Sequence, residues 1–100
     1  MNIEKDEVLV FKLVSGEELI AKIVEVTDGM FILRQPISMA PTQQGLQMMP
    51  SMFSGNLDKE IVLYGAAVAI IADAKEDIKT KYIEVTTGVM VPPEKKILVG

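Results

Sequence analysis

Residues 7–35 read EVLVFKLVSGEELIAKIVEVTDGMFILRQ, and this stretch decides the fold because apolar runs alternate in it with two turn signals. Valine, isoleucine and leucine dominate the runs, which favours strands over short helices. Gly16 breaks the chain after the first run. Asp28 and Gly29 follow the second run, and an Asp-Gly pair there is typical of a β-hairpin because glycine supplies the positive φ of a tight turn. The predicted strands cover residues 7–14, 18–26 and 30–35.

Further strands are predicted in the second half of the chain, where the apolar segment 61–71 is interrupted by Gly65. The segment forms either two short strands or one bent strand, because a glycine among apolar residues is typical of a bulge or of two closely approaching backbones. The run 18–26 carries apolar side chains on both of its faces, as in a small barrel.

A helix is predicted over residues 74–86. Asp73 and Glu76 have the spacing of a reciprocal capping box, and Gly88 is a suitable C-terminal stop. A short strand at 89–91 and a tail to residue 100 follow. The side chains expected to face inward at helical spacing are Ile78, Tyr82, Ile83 and Val85.

The composition limits the chemistry of the chain. Its 100 residues correspond to a single domain. The absence of cysteine and histidine excludes thiolate nucleophiles, histidine bases, zinc-finger spacings and disulfides. No phosphate-binding loop or metal-binding motif is present. We therefore expect no enzymatic activity, no catalytic residues, no cofactor and no metal site.

The charge and hydropathy patterns restrict the classes of partner that we expect this chain to bind. A formal net charge of −4 with one arginine, Arg34, disfavours nucleic-acid binding by bulk electrostatics, and no DNA partner is expected. The apolar stretch 66–72 is far shorter than the roughly 20 residues that cross a bilayer, so no membrane partner is predicted. The acidic N-terminus lacks the basic region of a secretory signal. We expect a cytoplasmic protein.

Residues 36–57, here called the Met-rich segment, contain four methionines and no charged side chain. Methionine adapts to irregular contacts, and exposed uncharged apolar surface usually has a partner. Three interpretations remain: the segment covers the core beneath a loop, forms a subunit interface, or lines a groove for a small ligand or peptide. The candidate interface residues are Met39, Met48, Met49, Met52 and Phe53.

Residues 13–23 (LVSGEELIAKI), 30–33 (MFIL) and 63–68 (LYGAAV) place glycines at the first turn and at the last bend of the strand series. This pattern resembles the two signatures of the Sm-like family. The first signature has a glycine turn, a bent strand, a turn and a Met-Asn-Leu strand, and the second is a short Ile-Arg-Gly strand and turn. The resemblance covers about residues 7–71 and implies a small barrel that assembles through its edge strands.

The departures from these signatures bear on RNA binding. RNA-binding members of the family form a base pocket with an aspartate and an asparagine of the first signature and an arginine of the second. The corresponding residues here are Thr27 or Asp28, Phe31, and Tyr64 beside Gly65. Aromatic rings can stack on bases, but they can equally pack in the barrel core or between subunits. We therefore expect RNA binding to be weak. The layout, with a helix after the barrel and no predicted helix before it, resembles that of small Sm-like proteins in phage genomes.

The sequence thus predicts a single all-β domain over residues 1–100. It consists of a small, strongly bent, five-stranded antiparallel Sm-like barrel at about 7–71 and a C-terminal helix. The resemblance implies a homo-oligomer, a ring of about five to seven subunits. The expected function is that of a non-enzymatic scaffold with weak RNA binding. The alternative is a protein-binding adaptor that uses the Met-rich segment.

Overall fold

An antiparallel sheet followed by one helix makes up residues 2–88, the part of the chain that the computed structural model describes. The predicted all-β class with a C-terminal helix is confirmed. The sheet has six strands in this part of the chain, so the predicted number of five is wrong. The strands are β1 (Val8–Leu13), β2 (Glu18–Thr27), β3 (Met30–Thr42), β4 (Gly45–Pro50), β5 (Ile61–Tyr64) and β6 (Val68–Asp73), and the helix is α1 (Glu76–Thr87).

The additional strand arises from the length of β3, which has two partners along one edge. Residues 30–33 of β3 pair with β5, and residues 37–42 pair with β4. The change of partner falls at Gln35, whose φ of +53° interrupts the regular strand, and at Pro36, which lacks an amide donor. On its other edge β3 pairs with β2, and the remaining order is β2-β1-β6.

The sheet curls because the strands at its two ends, β5 and β6, follow each other directly in the chain. β5 pairs with β3 and β6 pairs with β1, yet only the short 3-10 helix Gly65–Ala67 separates β5 from β6. Register shifts in β2 and between Lys12 and Leu13 of β1 increase the local twist. β5 and β6 are not paired with each other, so the sheet is strongly bent but not closed.

Apolar side chains fill both faces of the curled sheet, as the residues of β2 predict. Leu19, Ala21 and Ile23 of β2 point into the inner core, which they share with Phe11. Ile20 points to the opposite face. The outer core beneath α1 consists of Ile20, Ile37, Met39 and Tyr82.

The helix begins two residues later than predicted. Asp73 is the last residue of β6 and not the N-cap; Lys75 occupies that position and makes no side-chain capping bond. Gly88 ends the helix at a φ of +74°, and its N–H donates to the Glu84 carbonyl oxygen. Val85 faces solvent instead of the core. The strand and tail predicted at 89–100 lie outside the described residues, and none of residues 2–88 belongs to a helix long and apolar enough to span a membrane.

Candidate functional site

The β2–β3 turn and the corner between β5 and β6 meet at two glycines. The Gly65 N–H donates to the Gly29 carbonyl oxygen over 2.7 Å. A Cβ atom on Gly65 would lie 2.6 Å from that oxygen, which is closer than side-chain atoms approach a backbone. Gly65 is therefore required by close backbone contact, as a glycine among apolar residues predicts, and it joins the two turns.

Four of the five residues predicted for RNA binding surround this glycine contact. Thr27 of β2 and Tyr64 of β5 both pair with Met30 of β3, one on each edge of that strand. Asp28 is exposed in the turn at a φ of +43°. Tyr64 is 65% exposed, so its ring is accessible to a ligand.

Phe31 is placed differently from the other four. Its ring centroid lies 5.3 Å from that of Phe11, in an edge-to-face arrangement, and its side chain packs against the inner core. Edge-to-face pairs of this kind stabilise apolar cores. The structure therefore gives Phe31 a packing role and leaves Tyr64 as the accessible aromatic ring at the turns.

A cavity of about 390 Å³ lies beside the two glycines. Its lining includes Phe31 and Gly65 but neither Asp28 nor Tyr64. None of the lining side chains carries a charge or a hydrogen-bonding group, so the cavity can accept an apolar group but cannot read the edge of a base. The lining residues are Val26, Gly29, Met30, Phe31, Gly65, Val68, Ala69 and Ile71.

The basic side chains of β2 and β3 lie on another part of the sheet. Lys22 and Arg34 are cross-strand partners and do not line the cavity beside the glycines. The Arg34 guanidinium is 3.6 Å from the Glu60 carboxylate, which partly neutralises it. The two turns thus carry little positive charge for a phosphate backbone.

The outer edges of β5 and β6 form a second candidate site. Within residues 2–88, β5 pairs only with β3 and β6 only with β1, so each strand has one edge without a ladder partner. Large apolar side chains are exposed along these edges: Val62 is 45% and Ile70 58% exposed. Free edges with apolar side chains favour pairing with another chain. Sequence periodicity identified both strands, but it does not reveal which strands lie at the edges.

The Met-rich segment divides into a buried and an exposed part. Met39 and Met48 are cross-strand partners in β3 and β4 and pack in the outer core under α1, which matches the interpretation as a core cover. Met49 and Met52 are 42% and 47% exposed, and Phe53 is 90% exposed. The predicted interface set is therefore reduced to the last three residues as accessible surface.

No protein-family model matches this chain, and no curated protein sequence matches it significantly. The Sm-like resemblance consequently depends on the two sequence signatures alone.

Proposed function

We propose that this chain is an Sm-like, non-enzymatic scaffold of the cytoplasm that assembles into a ring of about five to seven subunits. The observation that carries the proposal is that, within residues 2–88, β5 and β6 each have one edge without a ladder partner and with exposed apolar side chains, at the two ends of one curled sheet. β5 of one subunit pairs with β6 of the next, which satisfies the unpaired backbone groups of both strands.

The geometry of the corner favours closure of such an assembly. Because the 3-10 helix Gly65–Ala67 is short, β5 and β6 are held at a fixed angle within each subunit. The Gly65–Gly29 and Val14–Ala67 backbone hydrogen bonds, of 2.7 and 2.8 Å, tie this corner to both neighbouring turns. A head-to-tail contact repeated at a fixed angle generates a closed ring when the successive rotations add up to one full turn.

RNA is a weak ligand in this proposal. The exposed ring of Tyr64 can stack on a base, and Thr27 and Asp28 lie at the neighbouring turn. The apolar cavity lacks groups that hydrogen-bond a base edge, and the net charge of −4 opposes phosphate binding. These features favour stacking of a base on Tyr64 over sequence-selective recognition of RNA.

The assembly is tested by the solution mass of edge-strand variants. The unaltered chain is expected to have a mass several times 11.0 kDa by light scattering. Ile70→Glu and Val62→Glu place a charge on the free edges and are expected to shift the mass towards one subunit. Val85→Glu is the matched control because Val85 is 51% exposed and belongs to α1, not to β5 or β6. A monomeric parent chain, or equal effects of all variants, would contradict the ring.

A protein-binding adaptor is the second candidate, and the exposure of Phe53 favours it. An aromatic side chain that is 90% exposed beside two exposed methionines is typical of a contact anchor. Phe53→Ser combined with Met52→Ser is expected to leave the solution mass unchanged if assembly uses the edge strands. Dissociation of the oligomer by this double variant would instead identify the Met-rich segment as the subunit interface.

A further inference from the structure

A groove of about 410 Å³ lies between the outer face of the sheet and the beginning of α1. Its volume is within the range of sites that bind small ligands or a few side chains of a peptide. Its floor is apolar because side chains from β1, β3, β4, β6 and α1 converge on it. The floor residues are Val10, Met39, Leu46, Ala72 and Ile78.

The rim of the groove is acidic. Glu18, Asp73 and Asp77 lie on it against one basic residue, Lys75. Within residues 2–88 none of these side chains forms an ion pair, and among the three carboxylates only that of Asp77 accepts a hydrogen bond, from the Ile78 N–H over 2.9 Å. The rim therefore carries three carboxylates against the ammonium group of Lys75 around an apolar floor, and Lys12 is the cross-strand partner of Glu18.

The charge of the rim selects among ligand classes. Nucleic acid and anionic lipid surfaces are repelled by the three carboxylates. The described residues include no cluster of three acidic groups close enough to hold a metal ion, so these carboxylates do not form a metal site. The positive end of the α1 dipole is offset by the acidic residues Glu76 and Asp77 in the first turn. A ligand that fits both floor and rim combines apolar side chains with positive charge.

We propose that this groove binds a short peptide segment of a partner protein in which basic side chains flank branched apolar ones. The apolar side chains enter the floor, and the basic side chains pair with Glu18, Asp73 and Asp77. The groove is on the outer face of the sheet, and β6 contributes Ala72 and Asp73 to it as well as the edge proposed to pair with β5. Binding of such a segment would attach the partner protein to the scaffold.

The test measures fluorescence anisotropy with a fluorescein-labelled hexapeptide of alternating lysine and valine. The unaltered protein is expected to bind it, and binding should weaken as salt screens the rim. Asp73→Asn combined with Asp77→Asn is expected to lower the affinity about fivefold, the scale of two exposed ion pairs. Asp28→Asn combined with Asp58→Asn is the matched control, because it removes the same charge from exposed residues outside the groove.

Two further measurements test the apolar floor and the acidic rim of the groove separately. A lysine–serine hexapeptide is expected to bind about tenfold more weakly than the lysine–valine peptide, since it buries no branched side chain. If the double variant does not fold, Glu18→Gln replaces it as the rim variant and should also weaken binding. The solution mass of each variant shows whether weaker peptide binding accompanies loss of assembly. Equal binding of the two peptides, equal affinities of rim and control variants, or no binding to the unaltered protein would overturn the proposal.

Discussion

The Tyr82 hydroxyl in α1 donates a hydrogen bond to the Gln35 carbonyl oxygen over 2.9 Å. Gln35 is the residue at which β3 changes partner, and its N–H donates to the Leu57 carbonyl oxygen over 2.9 Å. Its side-chain amide lies 3.3 Å from the Thr86 carbonyl oxygen. The bend in β3 is therefore held by the helix and by the segment before β5, and the helix has a defined position on the sheet.

Tyr82→Phe tests this bond. The variant leaves the partly buried Gln35 carbonyl without its hydroxyl donor, which is expected to lower the free energy of unfolding by about 1 kcal/mol. Urea denaturation followed by circular dichroism measures the change. Tyr64→Phe is the control, since the Tyr64 ring is 65% exposed and its hydroxyl is free to meet water. Equal midpoints for the two variants would show that the helix is held by apolar packing alone.

The same tyrosine predicts a pH dependence. Burial raises the pKa of Tyr82 from 10.0 to about 12, although a hydrogen bond with the Lys22 backbone opposes the shift. The unfolded chain therefore loses the phenolic proton first. The stabilisation is fully present below pH 10 and decreases as the pH rises from 10 to about 12, by about 2 kcal/mol in total.

Unfolding curves of the unaltered chain and of Tyr82→Phe at several pH values isolate this contribution, since lysines titrate in both proteins. The difference in unfolding free energy between them is expected to shrink across this window. A difference that stays constant from pH 9 to 12 would show that the Tyr82 hydroxyl ionises as readily in the folded chain as in the unfolded one.

Gly65→Ala tests the contact between the turns. The added Cβ would lie 2.6 Å from the Gly29 oxygen, so the corner must move, at an expected cost of more than about 1 kcal/mol in unfolding free energy. Gly55→Ala is the control, because its Cβ would meet only the flexible side chain of Met52, at 3.1 Å or more. Unchanged thermal midpoints for both variants would mean that the corner adapts without strain.

RNA binding is expected to be weak and dependent on one ring. At physiological salt the dissociation constant for any homopolymer should exceed about 1 μM, as in non-specific binding. Tyr64→Ala should weaken it about tenfold, the scale of one stacked base, whereas Tyr64→Phe should preserve it. A filter-binding panel of homopolymers measures both effects. Tight selection for one base, lost in Tyr64→Ala with the oligomer intact, would make RNA recognition the main function.

The strands β1 and β2 are predictable from sequence because their signals are local. The alternation of apolar residues and the turns at Gly16 and Gly29 locate them to within a residue or two at each end. β3 continues beyond the predicted end at residue 35, because pairing with two successive strands carries it through Pro36. Tertiary pairing overrides the local signal at that point.

The helix start and the surface sites depend on tertiary context. Asp73 and Glu76 have capping-box spacing, but Asp73 pairs with Leu9 as the last residue of β6, so the helix begins only at Glu76. Met39 and Phe53 are both apolar, but Met39 is buried in β3 within the outer core, whereas Phe53 is exposed in the segment between β4 and β5. The acidic groove joins residues from six elements, β1, β2, β3, β4, β6 and α1, and has no sequence signature.

The register that pairs Leu9 with Asp73 has a consequence for the folding pathway. The hairpins β1–β2, β2–β3 and β3–β4 join segments that are close in the chain, whereas β1–β6 closes a loop that contains most of the protein. Loops of that length close slowly because their entropy must be lost before any contact forms. We expect β6 to dock last, so that only a fully folded subunit displays the outer edge of β6 to a neighbour, and subunit pairing selects against incompletely folded chains.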